Sequence, residues 1–338
     1  SSRRAVAMKN EKLFMFLTYP LIIIVAAVVI LFVSTPVVLY SFPQITSFII
    51  EFNFMATPQS NAGMMAKLGR EFYLTSGSTT ISVWHITPDE AQLSTKKDYV
   101  NLLNDTNYRI LVYFPSQERD MEKFASFCRV LKAWNNVQII SFDYKGSGKS
   151  AGDTTQYGAI EDALTVYHWI RKQTPNNAIH FWAHSLGAGI ASATLKQLVA
   201  EGYEVKSIVL EAPIYDTLTL MQSYWLYKMY AFLLPKNFIS KSLDIVDINY
   251  STTKSISTVD VPTLVLHGEH DDVVTVENSR RLVREARKKR DFIFIVEWRC
   301  KRVTHWPGQQ AGRDEIKNLV ESVEYLKKIT IVSVVLNK

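Results

Sequence analysis

A chain of 338 residues, 47% hydrophobic and 12% aromatic, carries too much apolar surface to stay unfolded, which excludes an intrinsically disordered protein. The net charge of +6 gathers in runs such as Arg280, Arg281, Arg284, Arg287, Lys288, Lys289 and Arg290, which read as a solvated helix face. No basic stripe is interleaved with aromatic residues, so nucleic acid is not an expected partner.

The residues in 1–12 include Arg3, Arg4, Lys9 and Lys12 against Glu11 and read as a cytosolic tail. Segment 13–39 follows, about 27 positions without a charge and longer than the roughly 20 required to cross a bilayer. A signal peptide core is shorter, and a buried helix of a soluble domain rarely runs so long uncharged, so the expectation is a transmembrane anchor. Pro20 should kink it and Pro36 should mark its outer end. Basic residues are sparse beyond the anchor until Lys67, so the positive-inside bias puts the rest of the chain in the lumen or outside. Two sequons suit that side, Asn104-Asp105-Thr106 and Asn249-Tyr250-Ser251. Residues 40–78 lack clear periodicity and read as a juxtamembrane linker with some amphipathic helix.

From residue 79 to 338 strand-like runs alternate with helical ones. The strands are expected at 80–85, 108–114, 137–143, 179–183, 207–211, 262–267 and 292–298, and the helices at 121–134, 157–172, 190–201, 276–289 and 314–328. Apolar strands alternating with helices predict a mostly parallel sheet covered on both faces, an open α/β architecture whose chemistry gathers at the carboxyl ends of the strands. About residues 214–258 the alternation breaks into an aromatic-rich insertion that reads as a helical cap. A greasy cap beside a membrane anchor fits a long acyl chain.

The run Ile179-His180-Phe181-Trp182-Ala183-His184-Ser185-Leu186-Gly187-Ala188-Gly189-Ile190 is a strand, a small-residue turn and a helix start, the context of a nucleophile elbow. Ala183 stands where the usual G-x-S-x-G has its first glycine. A serine hydroxyl needs a base, and the base needs a carboxylate, arriving in this architecture in the order serine, acid, histidine. The acid should sit in the turn His267-Gly268-Glu269-His270-Asp271-Asp272-Val273-Val274, with Asp271 preferred and Asp272 its rival. His305, in Val303-Thr304-His305-Trp306-Pro307-Gly308, follows the last strand and is the histidine beyond the acid turn. His184 points along the elbow backbone, His85, His168 and His180 lie in strand or helix patterns, and His267 with His270 fits no zinc spacing. Tetrahedral oxyanion stabilisation needs two amide donors: Leu186, after the serine, and Ser116 or Gln117 in the loop after strand 108–114, since Pro115 has no N–H.

Phe142-Asp143-Tyr144-Lys145-Gly146-Ser147-Gly148-Lys149-Ser150-Ala151-Gly152 resembles the F-D-Y-R-G-x-G-x-S-x-G loop of membrane-anchored α/β-hydrolase lipases. Glu161-Asp162-Ala163-Leu164, Trp169-Ile170, His184-Ser185-Leu186-Gly187, Leu210-Glu211-Ala212-Pro213 and His267-Gly268-Glu269 continue the resemblance, which covers roughly residues 108–328. It implies an α/β-hydrolase fold and a single-pass enzyme of the endoplasmic reticulum with a lumenal site. The substrates it implies are lysophospholipids of the lysophosphatidylserine type or monoacylglycerols. It places the triad on Ser185, Asp271 and His305, with no metal or organic cofactor. Two departures are Ala183 for glycine and Phe114-Pro115 where many relatives carry His-Gly. The alternatives are a protein acyl-thioesterase, which uses the same machinery, and an α/β-hydrolase fold retained for binding. The oligomeric state and the pairing of Cys128 with Cys300 are not legible.

Overall fold

The computed structural model describes residues 2–42, 45, 65, 67–88, 95–116, 121–132, 137–223, 228, 240–241, 243–244, 247–271, 273–290 and 293–298. Helix α1 (Ser2–Ser41) opens the chain and runs through both Pro20 and Pro36 rather than ending at the second. Thr18 Oγ1 donates to the Phe14 carbonyl at 2.8 Å, and Thr35 Oγ1 to that of Leu31 at 2.7 Å. Both hydroxyls are thus satisfied by the helix's own backbone, as an apolar surrounding requires. The stretch Phe14–Thr35 is long and apolar enough to cross a membrane, and none of it is buried against protein. At 1.5 Å per residue it reaches about 33 Å, against a hydrocarbon core of about 30 Å.

Eight strands form one sheet: β1 (Gly69–Ser76), β2 (Thr79–Ile86), β3 (Arg109–Phe114), β4 (Val137–Phe142), β5 (Ile179–His184), β6 (Ser207–Glu211), β7 (Thr263–Gly268) and β8 (Ile293–Trp298). Their order is β1-β2-β4-β3-β5-β6-β7-β8. β2 pairs antiparallel with both β1 and β4, and the remaining neighbours are parallel. The central strands are buried on both faces, which is why they read as continuous apolar runs.

β1 is the main difference from the sequence expectation, because it falls inside the stretch read as linker. Half-buried at most of its length and carrying Arg70, Glu71 and Thr75, it has no apolar run to announce it. Its place comes from pairing: Gly69 lies opposite Ile86 and Ser76 opposite Thr79, across a turn in which Gly77 takes φ 57°. Helix α2 (Lys96–Asn104) was also not anticipated and is defined by a capping box between Thr95 and Asp98.

Helices α3 (Met121–Lys132), α4 (Gln156–Gln173), α5 (Gly187–Ala200) and α8 (Glu277–Ala286) fall where expected, within a few residues. Two short helices, α6 (Thr217–Ser223) and α7 (Thr252–Ile256), lie within the insertion; residues 224–227 and 229–239 between them lie outside the described residues, as does the helix expected at 314–328. One core cluster joins Ile81, Val112, Phe181, Leu210 and Val265 to Tyr167 of α4, Leu195 of α5 and Leu282 of α8. The other joins Leu111, Tyr113, Trp182 and Leu264 to Phe124, Phe127 and Leu131 of α3. Ser116, Ser185 and Asp271 therefore emerge at the carboxyl edge of a sheet fixed from both sides.

Candidate active site

Ser185 directly follows β5, two positions before α5 begins, and its φ of 53° is a left-handed conformation rare for a side chain with a Cβ. Holding it there costs about 1–2 kcal/mol, so the surroundings must over-determine it. They do so through Ser185 N–H, which donates to the Glu211 carbonyl of β6 at 2.8 Å, and through its carbonyl, which accepts from Ala188 N–H at 3.1 Å. The residue is half-buried, so its hydroxyl is not sealed in the core. Ala183 has no positive φ and is fully buried, paired in register with Phe114. The backbone therefore does not demand a glycine at that position, and the methyl group is simply part of the core.

Gly187 is different. A Cβ there would lie 2.5 Å from the carbonyl oxygens of both Phe114 and Pro115, so the start of α5 and the loop after β3 touch backbone to backbone. That contact brings Ser116 beside the elbow. Leu186 is 8% exposed, and its amide has no hydrogen-bond partner among the described residues. Phe114 is fully buried, 4.8 Å from the Phe181 ring and 5.5 Å from that of Phe142. The residue standing in the place of the family histidine is thus a core aromatic.

Asp271 follows β7 in a tight turn and is 5% exposed. Its Oδ1 accepts from the amides of Val273 and Val274, both at 2.9 Å. Its Oδ2 is buried and has no hydrogen-bond partner among the described residues. A buried carboxylate oxygen without a donor is costly, so its occurrence at a strand end calls for a functional reason. His267 Nε2 lies 3.8 Å from that oxygen but donates instead to the Val274 carbonyl at 2.7 Å, while Nδ1 accepts from Ser279 Oγ at 2.6 Å. Burial pushes the His267 pKa below its usual value, so the ring is neutral and the 3.8 Å approach is not an ion pair. His267 braces the acid turn from beneath, a role the sequence did not reveal.

Asp271 and Ser185 sit at the ends of β7 and β5, separated by β6 alone, a lateral distance of roughly 10 Å. The Ala212 N–H to Leu266 carbonyl bond at 2.8 Å continues the lacing across the same edge. Asp272, His305, Gln117 and Cys300 lie outside the described residues; Cys128 is buried on α3. His184 Nε2 is buried without a partner among the described residues. His270 is exposed, and no group of three or more metal-binding side chains occurs among the described residues. Asn104 is exposed at the end of α2, and Asn249 Nδ2 donates to Asp244 Oδ1 at 2.7 Å before α7.

The loop after β4 completes the edge. Ser150 Oγ donates to the Asp143 carbonyl at 2.7 Å and accepts from Ser82 N–H at 2.9 Å. Buried Asp162 of α4 accepts from Ser76 Oγ at 2.6 Å and from Lys145 N–H at 2.7 Å. The glycine-rich run is thus a braced turn, with Lys145 paired to Glu161 and Lys149 to Glu71.

A strained serine at a strand–helix turn, in a sheet with this order, defines an α/β-hydrolase fold of the serine hydrolase type. The family model for serine aminopeptidase S33 matches residues 109–246. Among solved structures, an esterase of Pyrococcus furiosus superposes with a TM-score of 0.54 at 15% identity, covering 81% of this chain and 95% of that one. An α/β-hydrolase from Vibrio vulnificus gives 0.54 at 14%, over 74% and 81% respectively. Protein ABHD12B of Homo sapiens is 30% identical over 249 residues, 71% of this chain and 67% of its own length. Lysophosphatidylserine lipase ABHD12 of Danio rerio is 25% identical over 266 residues, 75% and 69%. The chain belongs to the ABHD12 family of α/β-hydrolases.

Proposed function

We propose that the chain is a membrane-anchored serine hydrolase that cleaves the acyl ester of a lysophospholipid of the lysophosphatidylserine type or of a monoacylglycerol. The observation that carries this reading is Ser185 held at φ 53° on the sheet's carboxyl edge. Asp271, two strands away, supports it with a buried Oδ2 that has no hydrogen-bond partner among the described residues, at a separation that fits one imidazole. In this reading the imidazole is His305. It takes the Ser185 proton as Oγ attacks the ester carbonyl, and it returns that proton to the departing alcohol. The acyl-enzyme is then hydrolysed by a water that gives its proton to His305, which releases the fatty acid and restores Ser185. The amides of Leu186 and Ser116 receive the oxyanion. The chemistry uses no metal or organic cofactor.

Residues 13–39 serve as the anchor, with 1–12 cytosolic and the hydrolase domain in the lumen of the endoplasmic reticulum. Apolar side chains along α1, such as Phe16, Ile23 and Leu31, are 66–76% exposed and need hydrocarbon rather than water. The basic flank and the exposed Asn104 favour that topology. A shift in mobility on endoglycosidase treatment that Asn104→Gln or Asn249→Gln removes is the expected result, and an unshifted wild type opposes it.

The test of the activity is a fluorophosphonate probe on the full chain in detergent micelles. Labelling of the wild type but not of Ser185→Ala, with loss of lysolipid hydrolysis, is the expected result. No labelling of the folded wild type would instead support a binding protein, a reading that the Phe114-Pro115 departure motivates. Turnover of acyl-thioesters and not of lysolipids would favour the protein thioesterase.

A further inference from the structure

Tyr144 has no part in the triad or among the two amide donors, yet it reaches into the site. It is 5% exposed, and its ring stands edge-on to that of Phe142 at 5.2 Å. From that fixed position Tyr144 Oη donates to the Pro115 carbonyl at 3.1 Å. The same carbonyl oxygen faces Gly187, where a Cβ would come within 2.5 Å of it. The Pro115 carbonyl is therefore held between a hydroxyl and the bare Cα of the elbow glycine. In a trans peptide the N–H of the next residue lies in the same plane and points the opposite way. Fixing the Pro115 carbonyl fixes the direction of the Ser116 amide.

We propose that Tyr144 is a positioning residue: its hydrogen bond to the Pro115 carbonyl sets the plane of the Pro115–Ser116 peptide and so aims the Ser116 N–H at the developing oxyanion. This deepens the reading above and rests on it. It also accounts for Phe114-Pro115. A His-Gly pair fixes such a loop in its own way, whereas here the orientation comes from a neighbouring loop, and proline adds a rigid φ before the critical peptide. No bond is made or broken at Tyr144, and its proton stays on the phenol.

The experiment uses the full chain in detergent micelles and Tyr144→Phe, which keeps the buried ring. Three quantities are measured: kcat and KM on a short-chain ester, the affinity of a trifluoromethyl ketone that forms a hemiketal oxyanion, and the affinity of a long-chain alcohol, which fills the acyl site but presents no anionic oxygen. A misaimed amide should lower kcat about 10–100-fold, somewhat less than complete loss of an oxyanion donor, with KM within about twofold. Ketone affinity should fall by a comparable factor and alcohol affinity should not change. A folded Tyr144→Phe with unchanged kcat and ketone affinity overturns the proposal, and so does an equal loss of alcohol binding, which would mark a general packing defect. Should Tyr144→Phe fail to fold, 2,3,5-trifluorotyrosine at position 144 keeps the hydroxyl but ionises well below tyrosine's usual value of about 10. A new fall in kcat as pH rises through that ionisation is then expected, and its absence overturns the proposal. A wild type that fluorophosphonate does not label defeats the serine-hydrolase reading and this proposal together. A labelled wild type with an unaffected Tyr144→Phe defeats this proposal alone.

Discussion

Replacing Asp271 with asparagine separates what the carboxylate does for the fold from what it does for turnover. Oδ1 holds the turn through two amide bonds at 2.9 Å, and an asparagine carbonyl oxygen can keep both. Oδ2 is buried with no donor among the described residues, and in the proposed triad its partner is the His305 imidazole. Burying an unsatisfied polar group costs about 1–3 kcal/mol, more when it is charged. Asp271→Asn should therefore keep the turn and lower stability by no more than about 1–3 kcal/mol, the cost of leaving the His305 N–H unpaired. Asp271→Ala removes two charge-assisted bonds and should lower stability by about 3–5 kcal/mol. Turnover should respond far more strongly. An amide in place of Oδ2 offers N–H where a triad histidine needs an acceptor, selects the wrong imidazole tautomer and should lower kcat about 10⁴-fold. Urea unfolding and short-chain ester hydrolysis on the same preparations provide both readings. An Asp271→Asn variant that keeps more than a tenth of wild-type kcat, or that unfolds as readily as Asp271→Ala, refutes this division of roles. Should Asp272→Asn produce the large loss instead, the acid is Asp272.

Two further outcomes follow from the geometry. Gly187→Ala would place a methyl 2.5 Å from two backbone carbonyl oxygens, so the loop after β3 must move. Against a gain of about 0.5–1 kcal/mol from removing a helical glycine, overpacking of this kind should lower stability by about 1–3 kcal/mol net and reduce kcat; unchanged denaturation and turnover would refute the contact. Burial also pushes the pKa of both His85 and His180 down from 6.5 to about 4. Between those values the unfolded chain binds more protons than the folded one. The stabilisation from keeping each ring neutral is therefore complete above about pH 6.5 and is lost as the pH falls toward 4. Going from pH 7 to pH 5 should cost about 2 kcal/mol for each ring, read as a lower urea midpoint, and His180→Gln should remove about half of that pH dependence. A midpoint independent of pH over this range would refute the assignment.

Much of the sheet was legible because its central strands are buried on both faces, and burial on both faces leaves an uninterrupted apolar run. The elbow was legible because a strand, a small-residue turn and a helix start are local features, and the φ of 53° at Ser185 agrees with them. β1 escaped notice since its one-sided packing allowed Arg70, Glu71 and Thr75 into the strand, and only pairing with β2 identifies it. For His267 the spacing said only that it fits no zinc site with His270, and its bonds to Val274 and Ser279, which make it a neutral brace, appear only in the fold.

Composition and periodicity by themselves determined an apolar N-terminal helix, an α/β alternation and a serine at a tight bend, because each depends on residues near one another in the chain. Only the tertiary structure decided that β3 lies beside β5, that Gly187 abuts the Phe114 and Pro115 carbonyls, and that Tyr144 bonds one of them. Those contacts join residues about 30 to 70 positions apart, and their energies depend on distances that strand order sets and local sequence does not encode.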